Sequence, residues 1–349
     1  MISVQPYTIH SINARGLTLE ERGRLGRIHR DIAAEYLAGA YLAQPTDYAE
    51  RWCGLPAFIS SWDWVAAPTT ESWNWVAHAN AICRNSDSDL SVWIEIGVRQ
   101  DHRRRGIGRE MLRLIAAEAV RAGRQLITAQ TRSIPVSGDA FMERFGAKIV
   151  QRCLTQQLDL TQISSGIISK WVRNVSESNS SLRFGLWCGA YPAEEMWQIP
   201  DLLQTIHDAP HDELVTVDLG WSESEIRQRE QALQDSGIER WTGFLRDTSS
   251  GRLVAYSEIY VTERSTALAD QGDTAVRAEW RGQGLGKWVK AATIESFSRA
   301  RPQTRYLTTS NAVTNSAILK INEQLGFRRL NTMTTWQLSV SKALASLAR

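Results

Sequence analysis

The sequence lacks the features that would place it in several special classes of protein. Its 40 basic and 38 acidic side chains leave a formal net charge of +2, so no overall charge drives it toward nucleic acid or a membrane. It has no uncharged stretch of about 18 residues, and the opening MISVQPYTIHSINARG has no basic segment followed by an apolar run. We therefore expect a cytoplasmic protein without nucleic-acid or membrane partners.

Cysteine is scarce as well. The four cysteines lie far apart in the chain, with no CxxC pair and no neighbouring histidine at metal-ligand spacing: Cys53, Cys83, Cys153 and Cys188. Free cysteine is among the most buried residue types. We expect buried free thiols, no disulfide, and no bound metal.

What the sequence does contain is one pattern written twice. An offset of 178 residues places five residues of the first half on identical residues of the second: Val98, Arg99, Arg103, Gly106 and Gly108 on Val276, Arg277, Arg281, Gly284 and Gly286. An offset of 180 does the same for Thr128, Glu143 and Gly146 on Thr308, Glu323 and Gly326. Such self-similarity indicates an internal duplication.

The first half follows the order helix, meander of strands, helix, strand, helix, strand, which is a mixed α/β layout. The second half begins with a strand that leads to a helix and then repeats the later elements. In the first half, Thr18 and Glu21 form a capping box that begins a helix ending near Gly39. The Ser-rich tail of DLTQISSGIISKWVRNVSESNSS is the best linker candidate. We predict an N-terminal domain at 1–162, a linker at 163–181 and a C-terminal domain at 182–349.

The repeated glycine motif is typical of a phosphate-binding turn. A strand that ends in a Gly-rich turn and begins a helix presents unpaired backbone N–H groups, with the positive end of the helix dipole behind them. Two known phosphate-binding motifs are excluded because the sequence lacks residues that they require. A P-loop needs glycine at Arg281 and a hydroxyl at Trp288, and a dinucleotide fingerprint needs glycine at Met111 and Val289. A strand-to-helix turn without any ligand is the alternative.

Both RRRGIG and RGQGLG fit a third pattern, Gln/Arg-x-x-Gly-x-Gly/Ala after a β-strand. On these residues the sequence resembles the GNAT superfamily of N-acetyltransferases, whose members bind the pyrophosphate of acetyl-coenzyme A on such a loop. NAVTNSAILKINEQLGF is similar to the family's Asn-rich segment before a helix ending in Leu-Gly-Phe. The resemblance covers nearly the whole chain, as in tandem members such as mycothiol synthase. It implies two GNAT-type acyl-CoA N-acyltransferase domains, each a mostly antiparallel central sheet flanked by helices.

The resemblance also implies acetyl-coenzyme A as co-substrate, with the backbone N–H of Val98 or Val276 holding the acetyl carbonyl. A valine near the end of a strand is equally typical of an ordinary hydrophobic core. The implied cofactor residues of the first half are Val98, Arg103, Arg104, Arg105, Gly106, Ile107 and Gly108. Those of the second half are Val276, Arg281, Gly282, Gln283, Gly284, Leu285, Gly286, Asn311 and Asn315.

The catalytic candidates are carboxylates and one amide. Glu95 and Asp273 are repeat-matched acids, although strand alternation puts them on the face opposite the valine, and Glu258 is a further candidate base. Met142 and Asn322 stand where many GNAT enzymes carry the tyrosine that protonates the thiolate. Methionine has no proton to donate and asparagine only hydrogen-bonds. Either the thiolate leaves unaided, or one half has lost catalysis.

We expect the C-terminal half to be the active one, while the N-terminal half binds acetyl-coenzyme A or is structural. The reaction implied is direct attack of a small-molecule amine on the thioester, since neither half shows a cysteine or serine nucleophile beside a base. The alternative is a catalytically silent acyl-coenzyme A sensor or scaffold. The sequence leaves the acceptor open, and monomer or homodimer are both compatible with it.

Overall fold

A computed structural model describes residues 2–4, 6–36, 44–134, 137–163, 166, 168–169, 171, 173, 180–210, 212–262 and 265–348. The chain divides into two units: an N-terminal unit of Met1–Cys153, Asp212–Leu219 and Asn331–Arg349, and a C-terminal unit of Leu154–His211 and Gly220–Leu330. The units interleave along the chain, whereas the boundaries at 1–162 and 182–349 are contiguous and stay a prediction. Most of the expected linker, 163–181, lies outside the described residues.

The N-terminal unit follows the predicted order from the meander onward, but two strands precede its first helix and a second helix follows it. It begins with β1 (Ile2–Val4), β2 (Tyr7–Ile12), α1 (Leu19–Tyr36) and α2 (Pro45–Cys53). The meander β3 (Ile59–Pro68), β4 (Ala77–Arg84) and β5 (Ser91–Val98) leads into α3 (Ile107–Arg121). Then come β6 (Leu126–Arg132), α4 (Ser137–Arg144) and β7 (Lys148–Asp159), whose second half belongs to the C-terminal unit.

The C-terminal unit repeats this order. Its elements are β8 (Leu182–Cys188), α5 (Ile199–Gln204), α6 (Glu223–Asp235), β9 (Ile238–Asp247), β10 (Leu253–Thr262), β11 (Ser265–Val276), α7 (Leu285–Ala300), β12 (Tyr306–Ala312) and α8 (Ser316–Leu325). The strand β13 (Arg328–Ser339) then carries the chain back to the N-terminal unit, where α9 (Val340–Leu347) follows.

Both sheets are mostly antiparallel with one parallel pair, as the predicted fold class requires. In the N-terminal unit, β1 to β5 pair in succession and antiparallel, β6 lies parallel to β5, and β13 closes antiparallel on β6. In the C-terminal unit, β8 to β11 pair antiparallel and β12 lies parallel to β11. The register repeats too, because Ala77 pairs with Val98 and Ala255 with Val276.

The N-terminal sheet is covered on both faces because its strands alternate two apolar sides. Trp64 packs in the cluster that includes Met111 and Ile115 of α3, while its neighbour Val65 packs in the cluster that includes Leu25 of α1. The C-terminal sheet has the same two-sided arrangement. Helices therefore pack on both faces of its strands, with Tyr256 against α5 and Ala255 against α7.

Other sequence-based expectations have mixed outcomes. Thr18 and Glu21 do cap α1 reciprocally, while Gly39 lies outside the described residues. Cysteines 53, 83 and 153 are buried free thiols as expected, but Cys188 is exposed, since its strand lies at the edge of the unit's sheet. Within the described part of the chain no helix is long and apolar enough to cross a membrane, and no three metal-binding side chains cluster.

Candidate functional site

A wedge opens in each sheet where the two parallel strands part. In the C-terminal unit the described pairs of β11 with β12 end at Asp270 and Thr308, although β11 continues to Val276. In the N-terminal unit the pairs of β5 with β6 end at Ile94 and Ala129, although β5 continues to residue 98. An unpaired strand edge leaves backbone groups free for a ligand. Each wedge lies directly before one glycine motif.

The glycine motif in the C-terminal unit forms a tight turn that begins α7. Gly282 and Gly284 have φ of 80° and 78°, in the left-handed region that favours glycine, and Gly284 is the N-cap residue. The first N–H groups of the helix have no partner within the helix. The turn therefore aims several donors and the positive end of the helix dipole at one place.

The arginine at the start of the motif braces this turn in both units. Arg281 donates from Nε to the carbonyl oxygen of Val276 at 3.0 Å and from Nη2 to Asp208 Oδ2 at 2.6 Å. Arg103 donates from Nε to the carbonyl oxygen of Val98 at 2.9 Å, and both of its Nη atoms donate to Glu35. Each guanidinium thus fixes the turn to the strand end and to a carboxylate.

The rest of the N-terminal motif keeps the same geometry. Gly106 has φ of 87° and caps α3, and Arg104 takes a positive φ of 61°. Arg105 donates to the Tyr7 hydroxyl at 2.8 Å. Ile107 is buried, and a Cβ added to Gly108 would lie 3.3 Å from the ring of Phe141. The loop backbone, more than its arginine side chains, is presented to a ligand.

A cleft of about 950 Å³ opens beside the C-terminal motif. The predicted cofactor residues on its walls are Val276, Arg281, Gly282, Gly284, Leu285, Gly286 and Asn315. Lys287 and Lys320 also line it, and Lys287 Nζ lies 5.3 Å from the centre of the Trp171 ring. Positive charge on the walls favours an anionic ligand.

Two predicted cofactor residues lie apart from the cleft walls. Gln283 is an exposed residue of the turn. Asn311 points its Oδ1 at Asn322, whose Nδ2 donates to it at 2.9 Å. Asn315 does line the cleft, and its side chain also caps α8 by accepting from Ile318 N at 3.3 Å.

The carboxylates of the C-terminal unit lie on adjacent strands, at a bulge in the pairing of β10 with β11. Glu258 is fully buried and accepts hydrogen bonds from the hydroxyls of Tyr191 and Tyr260, each at 2.8 Å. Asp273 is reached by solvent but is enclosed by surrounding protein. Burial raises the pKa of Asp273 to about 6, with the Glu258 charge adding to the rise and the Arg229 charge opposing it.

Asn322 is fully buried, and protein partners occupy its amide. Its Oδ1 accepts from Lys290 Nζ at 2.6 Å, and its Nδ2 donates to Gln156 Oε1 at 3.0 Å. Burial lowers the pKa of Lys290 to about 7. The repeat-matched residues of the N-terminal unit are Leu112 and Met142, both buried and apolar. The duplication thus holds a polar pair in one unit and an apolar pair in the other.

In the N-terminal unit Glu95 lies one residue beyond the last pair of β5 with β6. Its Oε2 lies 3.3 Å from Arg51 Nη2, and its Oε1 lies 3.5 Å from His29 Nδ1. Burial alone would raise its pKa, but Arg51 and His29 outweigh burial and hold the pKa of Glu95 well below its usual range. Glu95 is therefore an ionised acceptor at the mouth of the wedge.

Sequence reasoning missed several polar groups around these candidates. The burial of Lys290 could have been predicted from the sequence. Lys290 lies at helical spacing from the apolar residues Ile294 and Phe297, and a lysine on the apolar face of a helix is a candidate buried charge. Tyr191 and His29 carry no such signal, since only the folded chain brings each to its carboxylate.

Comparisons with known proteins agree with this geometry. Residues 40–147 match the model of the acetyltransferase (GNAT) family. No curated protein matches the sequence. A tandem GNAT protein from the clavulanic acid biosynthesis pathway, solved without AcCoA, superposes with a TM-score of 0.75 at 21% identity, covering 96% of this chain and 98% of that one.

Two further solved structures share the fold at lower identity. A GCN5-related N-acetyltransferase from Sphaerobacter thermophilus gives a TM-score of 0.66 at 12% identity, over 96% of each chain. Saccharomyces cerevisiae N-myristoyltransferase with bound myristoyl-CoA gives 0.60 at 10% identity, covering 97% of this chain and 79% of that one.

The fold, with its wedges and glycine turns, is of the GNAT type. Residues 40–147 match the GNAT family model directly, and the whole chain shares the fold of a tandem GNAT protein. This fold is one that supports acyl transfer from coenzyme A to an acceptor.

Proposed function

We propose that the protein is an N-acetyltransferase that moves acetyl from acetyl-coenzyme A to the amine of a small molecule, in the cleft of its C-terminal unit. One observation carries the proposal: the cleft brings the glycine turn, the end of β11 beyond its pairs with β12, and the N-terminus of α8 to common walls. The pyrophosphate would lie at the turn that begins α7, where donors and dipole favour an anion. The acetyl carbonyl would lie against the backbone of Val276.

The chemistry requires a base for the incoming ammonium. Asp273 is our candidate, because its pKa of about 6 keeps it ionised at neutral pH yet close enough to that pH to hold a proton, and a water molecule would relay the proton from the cleft. The amine nitrogen then attacks the thioester carbon, the C–N bond forms, and the C–S bond breaks. The second amine proton leaves with the thiolate, which departs as the free thiol of coenzyme A.

Glu258 suits a supporting role better than that of the base. Both of its oxygens accept hydrogen bonds from tyrosine hydroxyls in a fully buried position. Its fixed negative charge raises the proton affinity of Asp273. Arg229 opposes that effect and donates to the Tyr260 hydroxyl at 2.7 Å, which anchors the cluster.

A silent acyl-coenzyme A sensor is the second candidate function. It is favoured by Asn322, which stands at the position of the family's proton-donating tyrosine with its amide bonded to Lys290 and Gln156. A sensor would bind acetyl-coenzyme A without releasing thiol when amines are added.

Thiol release with a panel of primary amines tests the proposal. The two diagnostic variants are Gly286→Asp and Gly286→Ala, since a Cβ at this position lies 3.6 Å from Val276 and meets only ordinary contact. The aspartate puts a negative charge where the pyrophosphate is expected, and the alanine is the uncharged control. We expect amine-dependent release from wild type and Gly286→Ala and a loss of the C-terminal contribution in Gly286→Asp. Binding without amine-dependent release would favour the sensor.

A further inference from the structure

The face of the C-terminal sheet that packs against α6 carries an arginine with unused hydrogen-bonding capacity. Arg229 lies three residues after Ile226, the buried apolar residue of α6, so both lie on the helix face toward the sheet. Arg229 is partly buried and donates from Nη2 to the Tyr260 hydroxyl at 2.7 Å. Within the described part of the chain it has no other hydrogen-bond acceptor and no carboxylate ion-pair partner. A guanidinium has five N–H donors, so most of those of Arg229 are unused.

Two aromatic rings hold this guanidinium in place. Arg229 Cζ lies 5.4 Å from the centre of the Trp221 ring and 5.8 Å from that of the Tyr260 ring. Both distances are within the range of cation–π attraction. The Tyr260 hydroxyl accepts from Arg229 and donates to Glu258 Oε2 at 2.8 Å, which orients the phenol as well. The arginine is therefore already ordered, and a ligand that binds it does not have to order it.

Tyr260 also links the arginine to Asp273. Its ring lies against Gly272 of β11, where an added Cβ would be 2.7 Å from Tyr260 Cε2. Asp273 is the next residue of this strand, and it lies beyond Asp270, the last residue in the described pairs with β12. Burial raises the pKa of Asp273 and the charge of Arg229 opposes that rise, so the two groups are within electrostatic reach of each other. The open part of β11 thus carries a carboxylate with an available guanidinium nearby.

An ammonium and a carboxylate on one small molecule complement this pair of groups. The ionised Asp273 attracts the ammonium, and the planar fork of Arg229 fits a carboxylate through two parallel hydrogen bonds. Such a zwitterion adds no net charge to the site. An amine without a carboxylate would cover the unused donors of Arg229 and leave them unsatisfied, which disfavours its binding.

We propose that the acceptor of the C-terminal unit is an amino acid, whose ammonium faces Asp273 and whose carboxylate is bound by Arg229. Arg229 is then a specificity-determining residue, and Trp221 and Tyr260 position it. This inference rests on the proposed function, which leaves the acceptor open. The bonds made and broken are those already given for an amine, so the products are an N-acetylated amino acid and the free thiol of coenzyme A.

Thiol release with matched acceptors tests the role of the carboxylate. The twenty standard amino acids are assayed first, and the best acceptors are then compared with their carboxamides. A carboxamide keeps the amine and the side chain of the amino acid but has no negative charge. We expect kcat/KM in wild type to be about 10- to 100-fold higher for the amino acid, the usual effect of hydrogen bonds to a charged group.

Arg229→Gln tests the residue itself. Glutamine removes the charge and the fork, but it can still donate to the Tyr260 hydroxyl. We expect kcat/KM for the best amino acid to fall about 10- to 100-fold, mainly through KM, and kcat/KM for its carboxamide to change little. Loss of Arg229 also raises the pKa of Asp273, but that effect acts on both acceptors and leaves their ratio unchanged. Arg229→Lys keeps the charge without the fork and should restore part of the ratio.

The matched control is Arg227→Gln, which removes the same charge from the same helix. Arg227 donates to the carbonyl oxygen of Tyr191 and to Glu230, so its guanidinium has partners of its own. We expect this variant to keep the wild-type ratio of amino acid to carboxamide.

Inhibition by a carboxylic acid without an amine tests binding apart from turnover. The probe is the desamino analogue of the best amino acid, and its amide is the uncharged comparison. We expect the acid to compete with the acceptor in wild type and its inhibition constant to rise about 10-fold or more in Arg229→Gln. Equal inhibition of both proteins would overturn the proposal.

The outcomes separate this inference from the proposed function. If wild type releases no thiol with any amine, the proposed function is refuted and this inference with it. If amines without a carboxylate are used as well as amino acids, or if Arg229→Gln keeps the wild-type ratio, only this inference is refuted. A ratio that depends on Arg229 and not on Arg227 supports it.

Discussion

The buried pair of Lys290 and Asn322 should make the stability of the protein depend on pH in an unusual direction. Lys290 lies in the core of the C-terminal unit, with its Nζ donating to Asn322 Oδ1. Burial lowers the lysine pKa from 10.5 to about 7. Between these two values the unfolded chain binds one proton that the folded chain does not, so stability should rise as pH rises.

The magnitude follows from that shift. Each pH unit in the window changes the free energy of unfolding by about 1.4 kcal/mol. Over the roughly three units between neutral pH and the lysine's ordinary pKa, the penalty at pH 7 is on the order of 4 kcal/mol. Lys290→Leu removes this penalty but leaves Asn322 Oδ1 without its donor, at a cost of about 1–3 kcal/mol.

The duplication itself supplies the control. The double variant Lys290→Leu with Asn322→Met copies Leu112 and Met142 of the other unit. Urea unfolding of wild type and both variants at about pH 7, 8 and 9 measures the slopes. We expect wild type to gain stability along this series relative to both variants. Parallel slopes in all three proteins would refute a neutral buried lysine.

Three further outcomes follow from the structure. Asp273→Asn should lower kcat/KM by about 100-fold or more and remove the fall in rate below about pH 6, because the base must be ionised; pH–rate profiles that keep this limb would exclude Asp273. Glu230→Gln leaves Arg240 buried without its 2.7 Å ion-pair partner and should cost about 3–5 kcal/mol; an unchanged urea midpoint would contradict this. Thr18→Ala removes the side-chain acceptor for Glu21 N and should cost about 1 kcal/mol, measured by the same unfolding.

Local patterns predicted most elements of the fold. The capping box of Thr18 and Glu21 locates the start of α1, and alternation with turn residues locates β3 to β5. The same capping signal at Ser222 and Glu225 begins α6, and it was missed because the segment lacks a strong apolar stripe. Local sequence patterns are sufficient to predict an element where residues close in sequence determine its conformation.

Long-range contacts set the limit of sequence reasoning. The prediction of two contiguous domains does not include the pairing of the end of β13 with β6. That pairing joins residues about two hundred positions apart, so no local pattern indicates it. The cluster around Glu95 is of the same kind, because His29 and His78 come from other elements. The glycine motif and the repeat-matched carboxylates are visible in the sequence. The pKa values and hydrogen bonds of those carboxylates depend on tertiary partners and are not.

Titration calorimetry of acetyl-coenzyme A into wild type, Gly286→Ala and Gly286→Asp tests the central claim most directly. The alanine adds only a Cβ at 3.6 Å from Val276, and the aspartate adds a charge in the same place. We expect wild type and Gly286→Ala to bind with the same stoichiometry, and Gly286→Asp to lose the C-terminal site. Unchanged binding by Gly286→Asp, or no binding by the folded wild type, would contradict the assignment of the cleft.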